Sequence, residues 1–328
     1  MSLPSGGLGV GIIGAGFMGR THAAAYLSAR AAGLPVTLLA ATGNRASPIP
    51  GDPPHLPDAR ALLALDTIDA VSICTYTDSH VELALDALAA GKHVLLEKPV
   101  ALKHGEVQRL AAAARGSGRV CMPAMCMRFW PGWPWLREQV LAGRFGAAHT
   151  AEFARLSARP AWSTEFYADH RRSGGALFDL HIHDVDFLRW CFGDPSLVTS
   201  MGSCEDVRTV YRIPGGPAEV SARGAWLDDP ATPFVMRYLV RFEEAEARFD
   251  LDAASPLRVH RGGTSEAVML PPATGYEGEV RHFVELVLGR VARPVATLDE
   301  AVAVTSILEA EERSLESAGS VAPLSPPR

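Results

Sequence analysis

The first third of the chain alternates short apolar runs with longer segments of helical periodicity. The apolar runs are typical of buried strands, and they lie at Leu8–Ile13, Val36–Ala41, Ala70–Thr75, His93–Leu96 and Val120–Met122. Helices are predicted between them, at Thr21–Ala32, His80–Ala90 and Glu106–Ala114. Strands that alternate with helices in this way indicate βαβ units around a parallel sheet.

After Pro123 the pattern changes to a cluster of strand-like runs with helices on either side. Along Phe234–Phe242 one face carries only apolar residues, Met236, Tyr238, Val240 and Phe242, and the other carries Arg237 and Arg241, which is typical of a strand with one buried face. The other predicted strands are Ala148–Leu156, Val198–Cys204, Glu219–Trp226, Ala247–Leu251, Leu257–His260 and Ala267–Leu270. Helices are predicted at Trp133–Ala142, Gly175–Phe192, Glu279–Leu288 and Leu298–Ser317, followed by a loose tail at Ala318–Arg328.

These patterns predict two domains and their fold classes. Residues 1–122 are expected to form an α/β domain with a parallel sheet, and residues 123–328 an α+β domain with a mostly antiparallel, open sheet. A length of 328 residues agrees with two domains.

Composition and charge exclude several classes of protein. With 31 basic and 37 acidic residues the net charge is -6, and no basic block stands out, so we expect no nucleic-acid partner. No uncharged apolar run approaches the ~18 residues of a membrane span, and we expect no membrane partner and no secretion signal. The five cysteines are irregularly spaced, which indicates free thiols in a reducing cytoplasm.

The first apolar run leads into a glycine motif that carries chemistry. Gly14, Gly16 and Gly19 form G-x-G-x-x-G between a predicted strand and a predicted helix. In this context the glycines allow a tight turn, close approach of a pyrophosphate and close packing of the helix, whose N-terminus attracts phosphate. The motif therefore predicts a Rossmann dinucleotide-binding domain, with Phe17 and Met18 also at the cofactor.

The end of the second predicted strand bears on which dinucleotide is bound. An acidic residue there favours NAD, and a nearby arginine favours NADP. This chain has Asn44 and Arg45, with no carboxylate before Asp52, so the sequence slightly favours NADP over NAD. The segment that follows contains five prolines, which cannot lie inside a helix, and we expect a loop there; they are Pro48, Pro50, Pro53, Pro54 and Pro57.

Two further motifs follow the glycine motif, and together the three resemble one family. Glu97-Lys98-Pro99 follows the fourth predicted strand, and Gly174-Gly175-Ala176-Leu177-Phe178-Asp179 precedes His183 and Asp186. In this order they resemble the Gfo/Idh/MocA family, named for glucose-fructose oxidoreductase and inositol dehydrogenase. The resemblance extends from Val10 to about Leu315.

The resemblance implies a fold, an activity and a set of site residues. It implies a Rossmann domain followed by an α+β domain whose sheet face commonly forms a homodimer or homotetramer. It implies NAD(P)-dependent hydride transfer between the nicotinamide and a secondary alcohol or carbonyl of a sugar, cyclitol or related polyol. Lys98, Asp179 and His183 match the family's catalytic residues. The resemblance also implies cofactor contacts from Thr75, Tyr76, His80, Glu97 and Lys98.

The residues themselves are suited to these roles. A histidine can exchange a hydroxyl proton near neutral pH, and a lysine ammonium can stabilise the alkoxide that forms. On a helix, Asp179, His183 and Asp186 lie at i, i+4 and i+7 and share a face. An aromatic face can stack on a sugar and an arginine can pair with acidic groups; the candidate substrate contacts are Arg128, Trp162, Tyr167 and Arg171.

Departures from the family pattern leave two alternatives open. His181 stands where glycine is common, and the H-x-H pair of His181 and His183 resembles that of a zinc hydrolase. Such a pair can share one metal on a strand but not on a helix, so we predict no metal site. Tyr76 stands where proline is common. The second alternative is a catalytically silent dinucleotide sensor of the same fold, against which the presence of Lys98, Asp179 and His183 argues.

Overall fold

The structure is a computed structural model that describes residues 7–43 and 48–324. The strands in this part of the chain are Leu8–Ile13 (β1), Val36–Thr42 (β2), Ala70–Ile73 (β3), His93–Leu96 (β4), Cys121–Pro123 (β5), Ala148–Ala158 (β6), Leu197–Gly202 (β7), Asp206–Arg212 (β8), Glu219–Leu227 (β9), Val235–Phe242 (β10), Glu246–Asp250 (β11), Leu257–Arg261 (β12), Thr264–Ala267 (β13) and Ala322–Pro323 (β14). The α-helices are Phe17–Ala31 (α1), Ala59–Leu63 (α2), His80–Ala89 (α3), His104–Ser117 (α4), Trp133–Leu141 (α5), Thr164–Ala168 (α6), His170–Ser173 (α7), Ile182–Phe192 (α8), Gly275–Val287 (α9) and Leu298–Glu316 (α10). Short 3₁₀ turns lie at Thr77–Ser79 and Cys126–Arg128, and a π turn lies at Leu177–His181.

The chain folds into two compact units, each built from two segments. The first unit comprises Met1–Trp130 and Ala273–Val302, and the second comprises Pro131–Pro272 and Ala303–Arg328. This division differs from the single predicted boundary after residue 122, because the chain returns to the first unit with α9. Val280, Phe283 and Val284 of α9 are buried in the same apolar core as β1, so burial of this face ties the later segment to the first unit.

The first unit contains a parallel sheet with the strand order β2-β1-β3-β4-β5. Every residue of β1 is buried, as expected for a central strand of a sheet covered on both faces. β2 and β3 lie on opposite sides of β1, so the winding of the sheet reverses there. Ligands of open α/β sheets bind at the carboxyl ends of the strands beside such a reversal. Gly14 directly follows β1 and Cys74 directly follows β3.

The second unit contains a larger sheet with the order β13-β12-β11-β10-β6-β9-β8-β7-β14. Its central neighbours β6 and β9 are parallel, and the other pairs are antiparallel. Along β10 the apolar side chains of Met236, Tyr238 and Val240 are buried while Arg237 and Arg241 are exposed. The predicted fold class, a Rossmann domain followed by a domain with a mostly antiparallel sheet, is confirmed.

Some predicted elements were wrong in place or missing. β8 was not predicted from the sequence, because Arg208 and Arg212 at its exposed positions lower its mean hydropathy. The last strand of the cluster is Thr264–Ala267 rather than Ala267–Leu270. The tail is not loose throughout, because β14 pairs with β7. Within the described ranges, no helix combines the length and apolar character that crossing a membrane requires.

Candidate active site

The glycine-rich loop after β1 is closely packed at two positions and open at a third. Gly14 has a φ of 105°, and a Cβ there would lie 2.5 Å from the carbonyl oxygen of Cys74. A Cβ at Gly19 would lie 1.9 Å from the carbonyl oxygen of Gly14, so α1 can approach the loop only because this residue is glycine. Around Gly16, by contrast, no described atom beyond its chain neighbours lies within 4 Å of the Cβ position. The loop has the tight turn, the close helix and the open approach that a pyrophosphate requires.

The start of α1 is suited to an anionic ligand. The helix begins at Phe17, with Gly16 at its N-cap and no acidic residue in its first turn. Free N–H groups and the helix dipole favour a phosphate at such an end. Phe17 is 60% exposed, and Met18 is half-buried. The residues from Gly14 to Gly19 therefore fit the diphosphate of a dinucleotide, and they would hold it.

The proline-rich segment forms an irregular loop beside the end of β2, with a turn that the Asp52 N–H closes by donating to the Ile49 carbonyl at 3.0 Å. The Ala41 N–H donates to the Pro54 carbonyl at 3.0 Å, and the Leu56 N–H donates to the Ala41 carbonyl at 2.8 Å. No helix occurs in residues 48–57, in agreement with the prediction from the prolines, and the next helix begins only after Asp58 caps α2. Asn44 and Arg45, the predicted contacts that bear on cofactor choice, lie outside the described residues.

A buried histidine connects the loop after β3 to the segment after β4. The two ring nitrogens of His80 lie 2.8 Å from the Pro99 carbonyl oxygen and 3.1 Å from the Thr75 carbonyl oxygen. Burial lowers the pKa of His80. The Ser79 hydroxyl donates to Thr75 Oγ1 at 2.7 Å and braces the same loop, while Tyr76 is 47% exposed. Of these residues Thr75, Tyr76 and His80 were predicted, and the structure gathers them into one short loop.

Glu97 and Lys98 follow β4 directly, at the carboxyl edge of the parallel sheet. Glu97 is buried; its Oε2 accepts a hydrogen bond from the Lys98 backbone N–H at 3.1 Å, and its Oε1 lies 3.0 Å from Nε2 of His22. Burial opposes ionisation of Glu97, but the hydrogen bond with His22 and nearby positive charge, including that of Lys98, lower its pKa below the ordinary value. Glu97 is therefore a fixed carboxylate, and Lys98 is half-buried beside it.

Two members of this cluster, His22 and Glu279, were not predicted from the sequence. His22 lies on α1 and Glu279 on α9, and both are fully buried. The ligating atoms of His22, Glu97 and Glu279 lie within 4.8 Å of one another. The sequence places a titratable residue at a core-facing position of each of these two helices. It does not indicate that His22 and Glu279 lie next to each other in the fold.

In the second unit, Asp179 and His183 lie on one helical segment with a widened turn. The π turn Leu177–His181 contains Asp179 and runs directly into α8, which carries His183. Asp179 is half-buried, His183 is 8% exposed and Asp186 is buried. Because a π turn adds a residue to the helical repeat, the spacing from Asp179 to His183 departs from the plain i, i+4 relation that the sequence analysis assumed. Such turns are frequent at functional sites.

His181 is a buried structural residue, which removes the basis of the metal-hydrolase alternative. Its Nε2 lies 2.8 Å from the Tyr211 hydroxyl and 3.0 Å from Oε2 of Glu311. The backbone around His181 lies against β9, where a Cβ at Gly224 would come within 2.6 Å of the His181 Cβ. His181 and His183 lie on helical turns rather than on a strand, so the H-x-H pair cannot share an ion. Among the described residues the only cluster with the geometry for a metal is the one around Glu97.

A buried ion pair fixes α8 on the sheet beneath it. Arg155 of β6 and Asp184 of α8 are 2% and 0% exposed, and the guanidinium Nη2 lies 2.8 Å from the Asp184 Oδ1. Burial raises the pKa of Asp184, and the charge and hydrogen bond of Arg155 oppose that rise. Asp184 directly follows His183, so this pair holds the segment that carries the proposed catalytic histidine.

Arg128, a predicted substrate contact, is instead an interior residue of the first unit. Its side chain is buried, and Nη1 donates to Oε1 of Glu300 at 2.8 Å and to the Val295 carbonyl at 2.7 Å. Because these bonds already occupy the Arg128 guanidinium, its charge is not presented to a substrate. The structure therefore argues against substrate binding by Arg128. The motif Met127-Arg128-Phe129 gave no sign of this, because the partners come from a segment much later in the chain.

The loop that follows β6 exposes the other predicted substrate contacts. Trp162 is 72% exposed, and its ring meets Tyr167 edge-on at a centroid distance of 5.7 Å. Tyr167 in turn contacts Trp226 of β9 edge-on at 5.3 Å. The Arg171 side chain is 94% exposed and lies on the short helix that Asp169 caps. A row of edge-on aromatic rings with an exposed end suits stacking on a ring such as a sugar.

Comparison with known proteins finds several similar dehydrogenases. The chain is 31% identical to D-glucoside 3-dehydrogenase of Escherichia coli over 205 residues, which cover 60% of this chain and 57% of that protein. It is 34% identical to trans-1,2-dihydrobenzene-1,2-diol dehydrogenase of Mus musculus over 160 residues, covering 45% of this chain and 46% of that one. It is 32% identical to myo-inositol 2-dehydrogenase of Thermotoga maritima over 138 residues, covering 42% and 40%. The matched stretches thus span about half of these relatives.

Solved structures and family models extend the similarity along the whole chain. A levoglucosan dehydrogenase in complex with NADH and levoglucosan aligns with a TM-score of 0.84 at 20% identity, covering 98% of this chain and 100% of that one, and it shows the fold. Residues 8–125 match the model of an oxidoreductase family with an NAD-binding Rossmann fold. Residues 134–251 match the GFO/IDH/MocA C-terminal domain, and the chain accordingly belongs to the Gfo/Idh/MocA oxidoreductase family.

Proposed function

We propose that the protein is an NAD(P)-dependent dehydrogenase or reductase that interconverts a secondary alcohol and a carbonyl on a sugar, cyclitol or related polyol. The observation that carries the proposal is that the open glycine loop and Lys98 lie at the same carboxyl edge of one parallel sheet. This edge is where ligands of such sheets bind. When bound, a nicotinamide dinucleotide supplies or accepts the hydride.

Each proposed catalytic residue has one task. The His183 imidazole takes the hydroxyl proton during oxidation and returns it during reduction. The Lys98 ammonium stabilises negative charge on the substrate oxygen. Asp179, on the π turn before His183, orients the imidazole. These roles rest on the family resemblance and on the chemistry of the three side chains.

Substitution of His183 tests the assignment. His183→Ala should lower kcat by about 100-fold or more, since general acid–base catalysis typically contributes at least that much. Dinucleotide binding, followed by fluorescence titration, should be nearly unchanged. An unchanged kcat on the true substrate would remove His183 from the mechanism.

We also propose NADP(H) as the preferred dinucleotide, with Arg45 pairing with the 2′-phosphate and Asn44 with the ribose. The proposal is supported by the absence of a carboxylate between the end of β2 and Asp52. The test compares kcat/KM for NADPH and NADH in the wild type and in Arg45→Ala. A strong preference of the wild type for NADH, or an unchanged preference in the variant, would contradict it.

The substrate is proposed to be a polyol or its keto form, with Trp162, Tyr167 and Arg171 as contacts. The relatives named for glucoside and inositol dehydrogenation support this class. A screen of sugars, inositols, sugar acids and their keto forms with both dinucleotides tests it. Tight dinucleotide binding with no turnover of any compound would favour the silent sensor instead.

The second unit is proposed to form a homodimer or homotetramer through the open face of its sheet, in a cytoplasmic protein. That face presents the exposed apolar side chains of Met201 and Val210 together with both signs of charge on Glu152 and Arg241. Such a mixture is suited to a surface that pairs with its own copy. Light scattering tests the assembly, and a monomer at all concentrations would contradict it.

A further inference from the structure

The interior of the first unit contains two carboxyl groups close together, and only one has hydrogen-bond donors. The Glu97 carboxylate lies 3.0 Å from His22 Nε2 and accepts from the Lys98 backbone N–H at 3.1 Å. Glu279 is 0% exposed, and neither of its oxygens has a hydrogen-bond partner among the described residues. The His22 Nε2 lies 3.8 Å from the Glu279 Oε1, beyond hydrogen-bond distance.

The two ring nitrogens of His22 contact Glu97 and Cys74. Nδ1 of His22 lies 3.6 Å from the Cys74 sulfur. Burial raises the pKa of the Cys74 thiol, so the sulfur keeps its proton. Nε2 of His22 is directed at Glu97 Oε1 at 3.0 Å rather than at Glu279 Oε1 at 3.8 Å. Among the described residues, Glu279 is left without a hydrogen-bond donor that could stabilise a negative charge.

A second buried negative charge without donors is strongly unfavourable, and a carboxyl in that position takes up a proton instead. Burial, followed by the charge of Glu97, raises the pKa of Glu279 well above its ordinary value. The titratable groups that face Glu279 are His22 and Tyr26 from α1, Cys74 after β3 and Glu97 after β4. The Cys126–Arg128 turn also packs against α9, and the charge of its Arg128 is paired with Glu300.

We infer that Glu279 is a neutral carboxylic acid at neutral pH, and that Glu279 and His22 are positioning residues for Lys98. They act through Glu97. His22 fixes one Glu97 oxygen, and the other oxygen holds the Lys98 backbone. Because Glu279 is neutral, Glu97 carries the only negative charge of this carboxyl pair. The part that concerns Lys98 rests on the proposed function, whereas the protonation state of Glu279 does not.

A metal ion is the rival explanation for this cluster. The described residues supply three ligands here, His22, Glu97 and Glu279, whereas structural zinc sites use four. Two of the three are already bonded to each other at 3.0 Å, and the second Glu97 oxygen is engaged by backbone. The arrangement thus fits a shared hydrogen-bond network better than a coordination shell.

The state of Glu279 is tested without substrate. Infrared spectroscopy of the wild type at neutral pH should show the carbonyl band of a protonated carboxylic acid, and Glu279→Gln should lack it. Because the native state must keep Glu279 protonated, Glu279→Gln should raise the midpoint of thermal unfolding at pH 8, and the difference should disappear near pH 4. Glu300→Gln is the matched control: it removes a carboxylate paired with Arg128 and should lower the midpoint at pH 8.

Three outcomes would overturn the inference about Glu279. These are a band that persists in Glu279→Gln, a variant less stable than the wild type at pH 8 or unable to fold, and a stoichiometric divalent metal that the variant loses. Failure of the proposed function alone is recognised separately, because turnover would be absent while the band and the pH-dependent stability remain.

The positioning role is tested by pairs of variants and by a pH profile. His22→Gln places an amide donor where Nε2 stands, whereas His22→Leu supplies no donor. The fall in kcat should be about ten- to a hundred-fold larger in His22→Leu than in His22→Gln, which is the range expected for a hydrogen bond to a charged group. If His22→Leu does not fold, His22→Asn, whose shorter amide does not reach Glu97, replaces it. In the wild type, ionisation of Glu279 at alkaline pH would place a second charge beside Glu97 and lower kcat. A glutamine cannot ionise, so the pH at which kcat is lost should be higher in Glu279→Gln. Equal kcat in the two His22 variants, or an unshifted profile, would contradict the role.

Discussion

Gly224 of β9 lies directly against the backbone of His181, so that a Cβ on the glycine would come within 2.6 Å of the His181 Cβ and 3.0 Å of its Cα. Because Gly224 has no side chain, the helical segment at His181 can approach the sheet closely. The π turn before α8 can thus rest on β9 while His181 reaches Tyr211 and Glu311. The contact sets the distance between the sheet and the segment that carries Asp179 and His183.

Gly224→Ala should therefore destabilise the protein by about 1–3 kcal/mol, because the added methyl meets main-chain atoms that cannot move aside without shifting the π turn. Chemical denaturation measures the loss. Gly116→Ala, on α4, is the control, because no described atom outside its chain neighbours and the backbone of its own helix lies within 4 Å of the Cβ position; it should be neutral or slightly stabilising. Equal effects at the two glycines would show that the contact is not restrictive.

Arg155→Met should destabilise the protein by about 3–5 kcal/mol, because it leaves Asp184 buried without its partner. The deficit should shrink at acid pH, where Asp184 can take up a proton. The double variant Arg155→Met with Asp184→Leu should recover most of the loss. Arg241→Met breaks an exposed pair with Glu152 and should cost less than about 1 kcal/mol. A double variant no more stable than Arg155→Met would contradict this account.

Substitution of Arg128 should affect mainly stability, and substitution of Trp162 should affect mainly substrate binding. Arg128→Met leaves Glu300 without its buried partner and should lower the unfolding free energy by about 2–5 kcal/mol. Trp162→Ala, at an exposed position, should change it by less than about 0.5 kcal/mol while raising KM for the polyol. Denaturation and steady-state kinetics on both variants make the comparison. A raised KM with unchanged stability in Arg128→Met would restore the role predicted from sequence.

His93 should make the stability of the protein rise between pH 4 and pH 6.5. Burial, with the charge of Arg119, lowers the pKa of His93 to about 4, and its Nδ1 accepts the Val120 N–H at 3.0 Å. Between pH 4 and pH 6.5, His93 binds a proton in the unfolded state but not in the native state. The free energy of unfolding therefore increases with pH, by at most about 1.4 kcal/mol per pH unit. His93→Gln should flatten that slope. A slope unchanged in the variant would assign the effect to other groups.

The fold and the linear motifs could be predicted from the sequence because they depend on local pattern. Leu8–Ile13 and His93–Leu96 match the predicted strands residue for residue, since each is a short apolar run bounded by turn residues. The alternation along β10 is likewise visible in the sequence. β8 was missed because two of its exposed positions carry arginine, which lowers its mean hydropathy.

The parts of the site that were not predicted all depend on contacts between distant segments. Nothing near Arg128 indicates that Glu300 neutralises it, and nothing near Glu97 points to Glu279. The π turn depends on Gly224, which lies far beyond the helix that it accommodates. Sequence periodicity predicts which face of an element is buried, but it does not identify the partner that the face meets.

The inclusion of α9 in the first unit has a consequence for the order in which the protein can fold during synthesis. Domains generally fold as units, the N-terminal one first, as the chain emerges. Here the core around β1 is completed by Val280, Phe283 and Val284. The dinucleotide-binding unit therefore cannot close until almost the entire chain has left the ribosome, and the second unit's sheet, whose strands β6 to β13 precede α9, is available to assemble first.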